Sequence, residues 1–273
     1  MPLAVCATPI GNLDDVTLRV LDELRAASAV LCEDTRHTRK LLERHAIRTS
    51  LLSYHEHNEA KRTAQIVPRL EAGERIALVS DAGMPGISDP GARLIEAAIA
   101  AGVEVHVLPG PSAVETALVA SGLIAERFLF VGFLPRSASA LDVVWSELAA
   151  WPHPVVGFES PQRLPATLRS LAGVQPDRTV AVCRELTKRF EEVVRGTAVE
   201  VASRFEEAPR GEITLVLGGQ PAAQSRGLAA RGEEDAVAVV RELVATGVPR
   251  RRAAELVSRL TGLGRNDLYR RTL

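Results

Sequence analysis

The chain has 273 residues, 46% of them apolar and 25% charged, with a formal net charge of −1. That length exceeds one small core and suits two α/β lobes with a small appendage. The near-zero charge excludes a chain-wide basic field for nucleic acid, so any such surface must be local.

In chain order, short apolar runs alternate with longer amphipathic stretches. The opening MPLAVCATPIGN lacks the basic segment and apolar core of a signal peptide. Residues 3–7 (LAVCA) read as a buried strand, and 16–27 as a helix with Val16, Val20, Leu21 and Leu24 on one face. A strand over 29–32 and helices over 36–45 and 58–72 follow. Then come a strand over 76–80, a helix over 91–101, a strand over 103–108 and a helix over 112–121. This alternation predicts parallel βαβ units. After a break near 122–137, strands are expected at 128–133, 154–159, 179–183, 191–195 and 213–217, with helices at 139–150, 161–172 and 197–207. The stretch 218–231 has the Gly, Ala, Gln and Ser of a linker. Helices are expected again at 233–246, 250–261 and 264–271. The resulting division is 1–112 for an amino-terminal α/β lobe, 113–220 for a second α/β lobe, and 221–273 for a linker and helical extension. From Pro249 onward there are seven arginines and only two acids, Glu255 and Asp267. No apolar run approaches the ~20 residues of a membrane span, so a cytoplasmic protein is expected. Cys6, Cys32 and Cys183 each sit in an apolar stretch without zinc-type spacing, so buried thiols and no metal are expected.

In a parallel sheet, ligands bind beyond the carboxyl ends of the strands. Three loops there are unusual: 8–15 (TPIGNLDD), 80–91 (SDAGMPGISDPG) and 108–113 (LPGPSA). None carries a GxGxxG phosphate cradle. Their backbone is exposed by Gly and Pro, and they hold few cations. In the first loop Asp15 is a candidate helix cap. In the second, Asp89-Pro90 reads as an N-cap followed by a first helical Pro, which leaves Asp81 and the backbone after it as the better ligand candidates. Ser112 is either a helix cap or a ligand contact. A charged segment, 33–39 (EDTRHTR), leaves the second strand at the same edge. His55 and His57 are two residues apart and would not share a helical face, which argues against a metal.

Together TPIGNLDD, EDTRHT (33–38), HEHNE (55–59), SDAGMPGISDPG, LPGPSA, GFLPR (132–136), FES (158–160), RELTK (184–188) and GEITLVL (211–217) resemble the tetrapyrrole-methylase superfamily over nearly the whole chain. Within it, TPIGNL, EDTR, HNE and RELTK are similar to the ribosomal RNA ribose-methylating branch. The resemblance implies an α/β, two-lobed tetrapyrrole-methylase fold: a parallel Rossmann-like amino-terminal lobe, a mixed-sheet second lobe and a small helical carboxy-terminal extension. It implies S-adenosylmethionine in the cleft, 16S ribosomal RNA or the small ribosomal subunit as partner, and a homodimer. The methyl donor should touch Ile10, Asp81, Met84, Ser112 and Ala113, with Leu186 and Thr214 from the second lobe. Met84 departs from the family, where threonine is common.

Transfer to a ribose 2′-hydroxyl of a decoding-centre cytidine, the implied reaction, needs in-line alignment and a group to take the proton. Asp34, His37 and Glu185 are the candidates for that group. Arg36, Arg184 and Lys188 are candidates for RNA phosphate contacts, together with Arg250, Arg251 and Arg252 of the basic tail. Two other readings stand beside this one: a methyltransferase of the same fold acting on a corrinoid, tetrapyrrole or protein side chain, and a ligand-sensing nucleic-acid binder.

Overall fold

The computed structural model describes residues 2–220 and 222–273, those of 222–232 by backbone alone. The chain divides into two compact units, Met1–Asp142 with Pro154–Gly218, and Val143–His153 with Gly219–Leu273.

In the first unit, β1 (Leu3–Cys6), β2 (Ala29–Cys32), β3 (Leu51–Ser53), β4 (Ile76–Val79) and β5 (Val105–Leu108) form a wholly parallel sheet in the order β3-β2-β4-β1-β5. The helices α1 (Leu18–Ala26), α2 (Thr35–Arg44), α3 (Glu59–Glu71) and α4 (Ala92–Ala100) connect them. Strand alternation divides the core in two. Ala4 and Cys6 face one way, onto Val20 and Leu24 of α1 and Leu41 of α2. Leu3 and Val5 face the other, onto Ile66 and Leu70 of α3 and Leu94 of α4. Each such Leu or Ile taken fully out of water contributes about 1.5–3 kcal/mol.

Three local expectations are corrected. Strand β3 was not anticipated, because a three-residue run (LLS) shows no periodicity of its own. Helix α1 is capped by Thr17, whose hydroxyl accepts from the Val20 N–H at 3.2 Å; Asp15 ends a separate 3-10 turn, Leu13–Asp15, after which Val16 is extended. Helix α4 begins behind Gly91 at φ 140°, so Asp89 is not its cap and Pro90 is not its first residue. Only glycine tolerates that φ, and a Cβ there would lie 3.0 Å from Leu78.

The second sheet, β6 (Leu129–Phe133), β7 (Val155–Glu159), β8 (Thr179–Arg184), β9 (Glu192–Thr197) and β10 (Ile213–Leu217), has the order β6-β7-β10-β8-β9. It is mixed: β6 and β7 are parallel and the other pairs antiparallel. Helices α6 (Ala138–Leu148), α7 (Leu164–Val174) and α8 (Ala198–Arg204) intervene. Helix α5 (Ala113–Ser121) joins the two sheets. Its Ala117 and Leu118 are buried with Val156, Ala181 and Val216 of the second sheet and with Ile10 of the first loop.

In the second unit, Ala222–Ala245 is one helix, α9, covering most of the stretch expected as a linker. Four alanines in 222–231 favour helix more than the single glycine opposes it. Pro221 of that stretch lies outside the described residues. Helices α10 (Arg250–Thr261) and α11 (Arg265–Arg271) pack on it through Val240, Ala253, Ala254, Val257 and Leu268. Among the described residues no helix is long and apolar enough to cross a membrane.

Candidate active site

The loops after β1, β2, β4 and β5 leave one edge of the parallel sheet, and hydrogen bonds knit three of them together. Thr8 and Gly83 form an isolated backbone bridge, and the Thr8 hydroxyl donates to the Ser80 carbonyl at 3.0 Å. The Ser80 hydroxyl donates in turn to the Ala82 and Gly83 carbonyls. The Asp34 N–H donates to Asp81 Oδ1 at 3.1 Å, which ties the β2 loop to the β4 loop. The β5 loop comes in close: a Cβ on Gly110 would lie 2.9 Å from that of Ala7.

These loops and the second sheet enclose a cavity of about 710 Å³. Ile10, Asp81, Met84, Ser112, Ala113, Leu186 and Thr214, dispersed over two hundred positions of sequence, all line it. Register explains part of the convergence. On β10, Thr214 lies opposite Phe158 on one side and Cys183 on the other, so three cavity residues share a row of the sheet. Ser112 stands at the N-cap position of α5 but makes no cap bond; its hydroxyl donates to Glu115 instead.

Sequence reasoning missed much of the lining. Phe128, Phe130, Phe133 and Phe158 line the cavity, four of the six phenylalanines in the chain. Phe130 and Phe133 both meet Phe158 edge-to-face, with ring centroids 5.1 and 5.4 Å away. Residues three apart on a regular strand point to opposite faces. Here the register shifts between them, and Gly132 at φ 68° absorbs the shift. The signal available was the concentration of aromatics in FLFVGF in a chain with so few. Glu33, Asp89, Glu115, Glu159 and Glu212 also line the cavity with Asp81, and among the described residues no Lys, Arg or His does.

Burial comes first in the electrostatics of this site, and the one-sided charge adds to it. Burial, then the charges of Glu33 and Asp81, push the Asp89 carboxyl up to about 7. Glu33 is raised by loss of water and by Asp81. Glu159 is buried but satisfied by the Arg163 guanidinium, the Ser160 N–H and the Thr167 hydroxyl. The three cysteines are free and buried. Burial raises Cys6 to about 12 and cavity-lining Cys183 to about 11, so neither is a thiolate at neutral pH.

The other candidates lie outside the cavity lining. Asp34 is the N-cap of α2, and its carboxylate accepts from the Arg36 N–H and guanidinium. That pairing holds it well below the usual carboxylate range and occupies the largely exposed Arg36. His37 is exposed on α2. Glu185 lines a neighbouring cleft and accepts from Lys188 Nζ at 2.8 Å, which lowers its carboxyl from the ordinary value. Lys188 also meets Glu212, and Arg184 pairs with Glu192 at 2.9 Å. Arg250, Arg251 and Arg252 open α10 in the second unit, where Arg251 and Arg252 are exposed and Arg252 pairs with Glu255.

A family model described as Tetrapyrrole (Corrin/Porphyrin) Methylases matches residues 2–202. The chain belongs to the tetrapyrrole methylase family. A second model, described as RsmI C-terminal HTH domain, matches residues 230–273. A Micromonospora olivasterospora protein named ribosomal RNA small subunit methyltransferase I is 42% identical over 272 residues, 98% of this chain and 85% of its own. The protein of the same name from Thermotoga maritima is 46% identical over 219 residues, 80% of this chain and 98% of its own. A fifth of the present chain thus has no counterpart in that relative. Two solved tetrapyrrole methylase folds agree with the architecture: uroporphyrin-III-C-methyltransferase of Thermus thermophilus (21% identity, TM-score 0.55, 84% of this chain and 97% of that one) and diphthine synthase (14%, 0.61, 82% and 93%).

Proposed function

We propose that this chain is an S-adenosylmethionine-dependent methyltransferase acting in the cytoplasm, as a homodimer, on 16S ribosomal RNA of the small subunit. Its target is the 2′-hydroxyl of a decoding-centre cytidine. The names carried by its relatives support the substrate class. The observation that carries the donor is the charge of the cavity: among the described residues six carboxylates and no basic side chain line it. Although Glu159 pairs with Arg163 and Glu212 with Lys188, Glu33, Asp81, Asp89 and Glu115 have no ion-pair partner among those residues. Such a site repels phosphate groups and attracts a cation. Its volume suits a cofactor-sized ligand. The phenylalanine wall offers a surface for a flat heterocycle, and Ala82, Gly83 and Met84 line the same cavity.

Ile10, Asp81, Met84, Ser112, Ala113, Leu186 and Thr214 would hold the donor, which supplies an electrophilic methyl carbon on a positively charged sulfur. The chain's own part is to orient, to exclude water and to receive a proton. Leu186 and Ile10 are buried together and close the cavity on one side. Asp34 and Glu185 both adjoin cavity-lining residues in sequence, Glu33 and Leu186, and both are held ionised by a neighbouring cation; Glu185 also accepts from the N–H of cavity-lining Glu212 at 3.0 Å. Glu185 is the acceptor best placed for a hydroxyl proton. Arg36, Arg184 and Lys188, with Arg250, Arg251 and Arg252 of the second unit, would meet RNA phosphates.

Calorimetry with S-adenosylmethionine, followed by transfer of a labelled methyl group to small subunits, tests the reading. Label resistant to alkaline cleavage at one cytidine is the expected result. Label on a base or on protein, or no donor uptake, overturns it.

A further inference from the structure

The donor cavity shares a wall with a second cleft of about 740 Å³: Ile10 and Leu186 line the first, and their chain neighbours Gly11, Glu185 and Thr187 line the second. The second cleft differs in character. Phe190 is 66% exposed within it, in a chain where aromatics are 4%. The Arg189 guanidinium stands over one face of that ring, 5.6 Å from its centre, a cation–π contact. The other cations of the cleft are committed: Arg44 to Asp14 at 3.0 Å, and Lys188 to Glu185 and Glu212 at 2.8 Å. No carboxylate lies within ion-pair distance of Arg189 among the described residues.

The shelf bearing these two side chains is held firmly. A Cβ on Gly11 would lie 2.6–2.8 Å from Lys188 Cγ, Thr187 Oγ1 and the Leu186 carbonyl, so the first loop lies directly on it. The Thr187 hydroxyl accepts from the Asn12 N–H at 3.0 Å, and the Thr187 N–H donates to Glu191 at 2.6 Å. Glu185 and Thr187 both adopt positive φ, 52° and 65°, which lifts the chain out of β8 toward this position.

An exposed aromatic ring with a guanidinium over one face, and no carboxylate paired with that cation, is an arrangement that binds an unstacked nucleotide, the ring's other face taking the base and the cation its phosphate. We propose that this cleft seats the nucleotide adjacent to the methylated one, its base stacked on Phe190 and its phosphate on Arg189. The inference rests on the RNA reading above and assigns Phe190 and Arg189 to acceptor binding alone. It also divides the charge sensibly: the acidic cavity takes the cationic donor, and the cleft next to it takes the anionic strand.

The test uses the full chain with Phe190→Ala, Phe190→Trp and Arg189→Gln, reading donor Kd by calorimetry and KM and kcat on small subunits. Phe190→Ala should raise the RNA KM by about 5- to 150-fold, the range stacking spans, with donor Kd unchanged, and Phe190→Trp should restore it. Arg189→Gln should flatten the dependence of log KM on log salt by about one phosphate's worth. If wild type methylates subunits and Phe190→Ala matches it, this inference fails while the RNA reading stands. It also fails if Phe190→Ala changes sedimentation and not RNA KM, since the ring would then cover a second copy of this chain. If wild type transfers no methyl group to RNA, both fall.

Discussion

At the scale of single residues, the cavity is governed by carboxylates withdrawn from water and, second, close to one another. Asp89 shows the consequence, raised from 3.8 to about 7. A carboxyl raised in the folded state contributes stability that is present below its unfolded value and is lost as pH climbs through the folded one. Asp89→Asn should therefore melt with wild type near pH 4 and above it at pH 8, by on the order of 1–2 kcal/mol after allowance for solvent. Thermal melts across that window check this; equal melting at both ends would remove Asp89 from the account. Donor binding should respond in the opposite sense. A sulfonium is favoured once Asp89 ionises, so affinity for S-adenosylmethionine should rise up to about tenfold between pH 6 and 8. Affinity for S-adenosylhomocysteine, which lacks that charge, should stay nearly level. Parallel titration curves for the two compounds would contradict the electrostatic reading.

At the scale of elements, backbone exceptions place the site. Gly11 lets the β1 loop lie against Leu186–Lys188, where a side chain would strike a backbone carbonyl that cannot move aside. Gly11→Ala should cost about 1–3 kcal/mol of stability and weaken donor binding through displaced Ile10. Denaturant titration with calorimetry checks both, and a variant with wild-type values in each would show that the loops can part freely. Gly132, at φ 68°, turns Phe130 and Phe133 onto Phe158. Gly132→Ala should cost about 1 kcal/mol, read in the same titration, and disturb the aromatic wall with it.

At the scale of the whole molecule, charge is distributed by task. The first unit holds an acid-lined cavity, and the second ends in a run with seven arginines against two acids. The net charge of −1 hides both. Changing Arg250, Arg251 and Arg252 together to Gln should leave donor Kd as in wild type. It should weaken subunit binding and reduce the salt slope by about two to three units. Filter binding at several salt concentrations measures this; an unchanged slope would mean these arginines serve the helical unit and not RNA.

Local pattern was enough for most of the architecture. Apolar patterning locates nine of the ten strands among the described residues, because burial on one or both faces writes itself into residue order. It missed β3, whose three residues are too few to show a period. Loop composition also pointed to the sheet edge, since Gly and Pro beyond parallel strands have little structural reason to accumulate. Composition does not fix the caps of α1 and α4, because Asp, Ser and Thr are interchangeable as cap formers and only the backbone decides which residue is used. What the sequence could not convey was simultaneity. Asp89, Glu33 and Asp81 influence one another only because β2 and β4 are neighbours. Phe130 and Phe133 share a wall only because a bulge breaks the alternation that their spacing implies. Charges and rings act through space, and the folded chain alone fixes which of them are near.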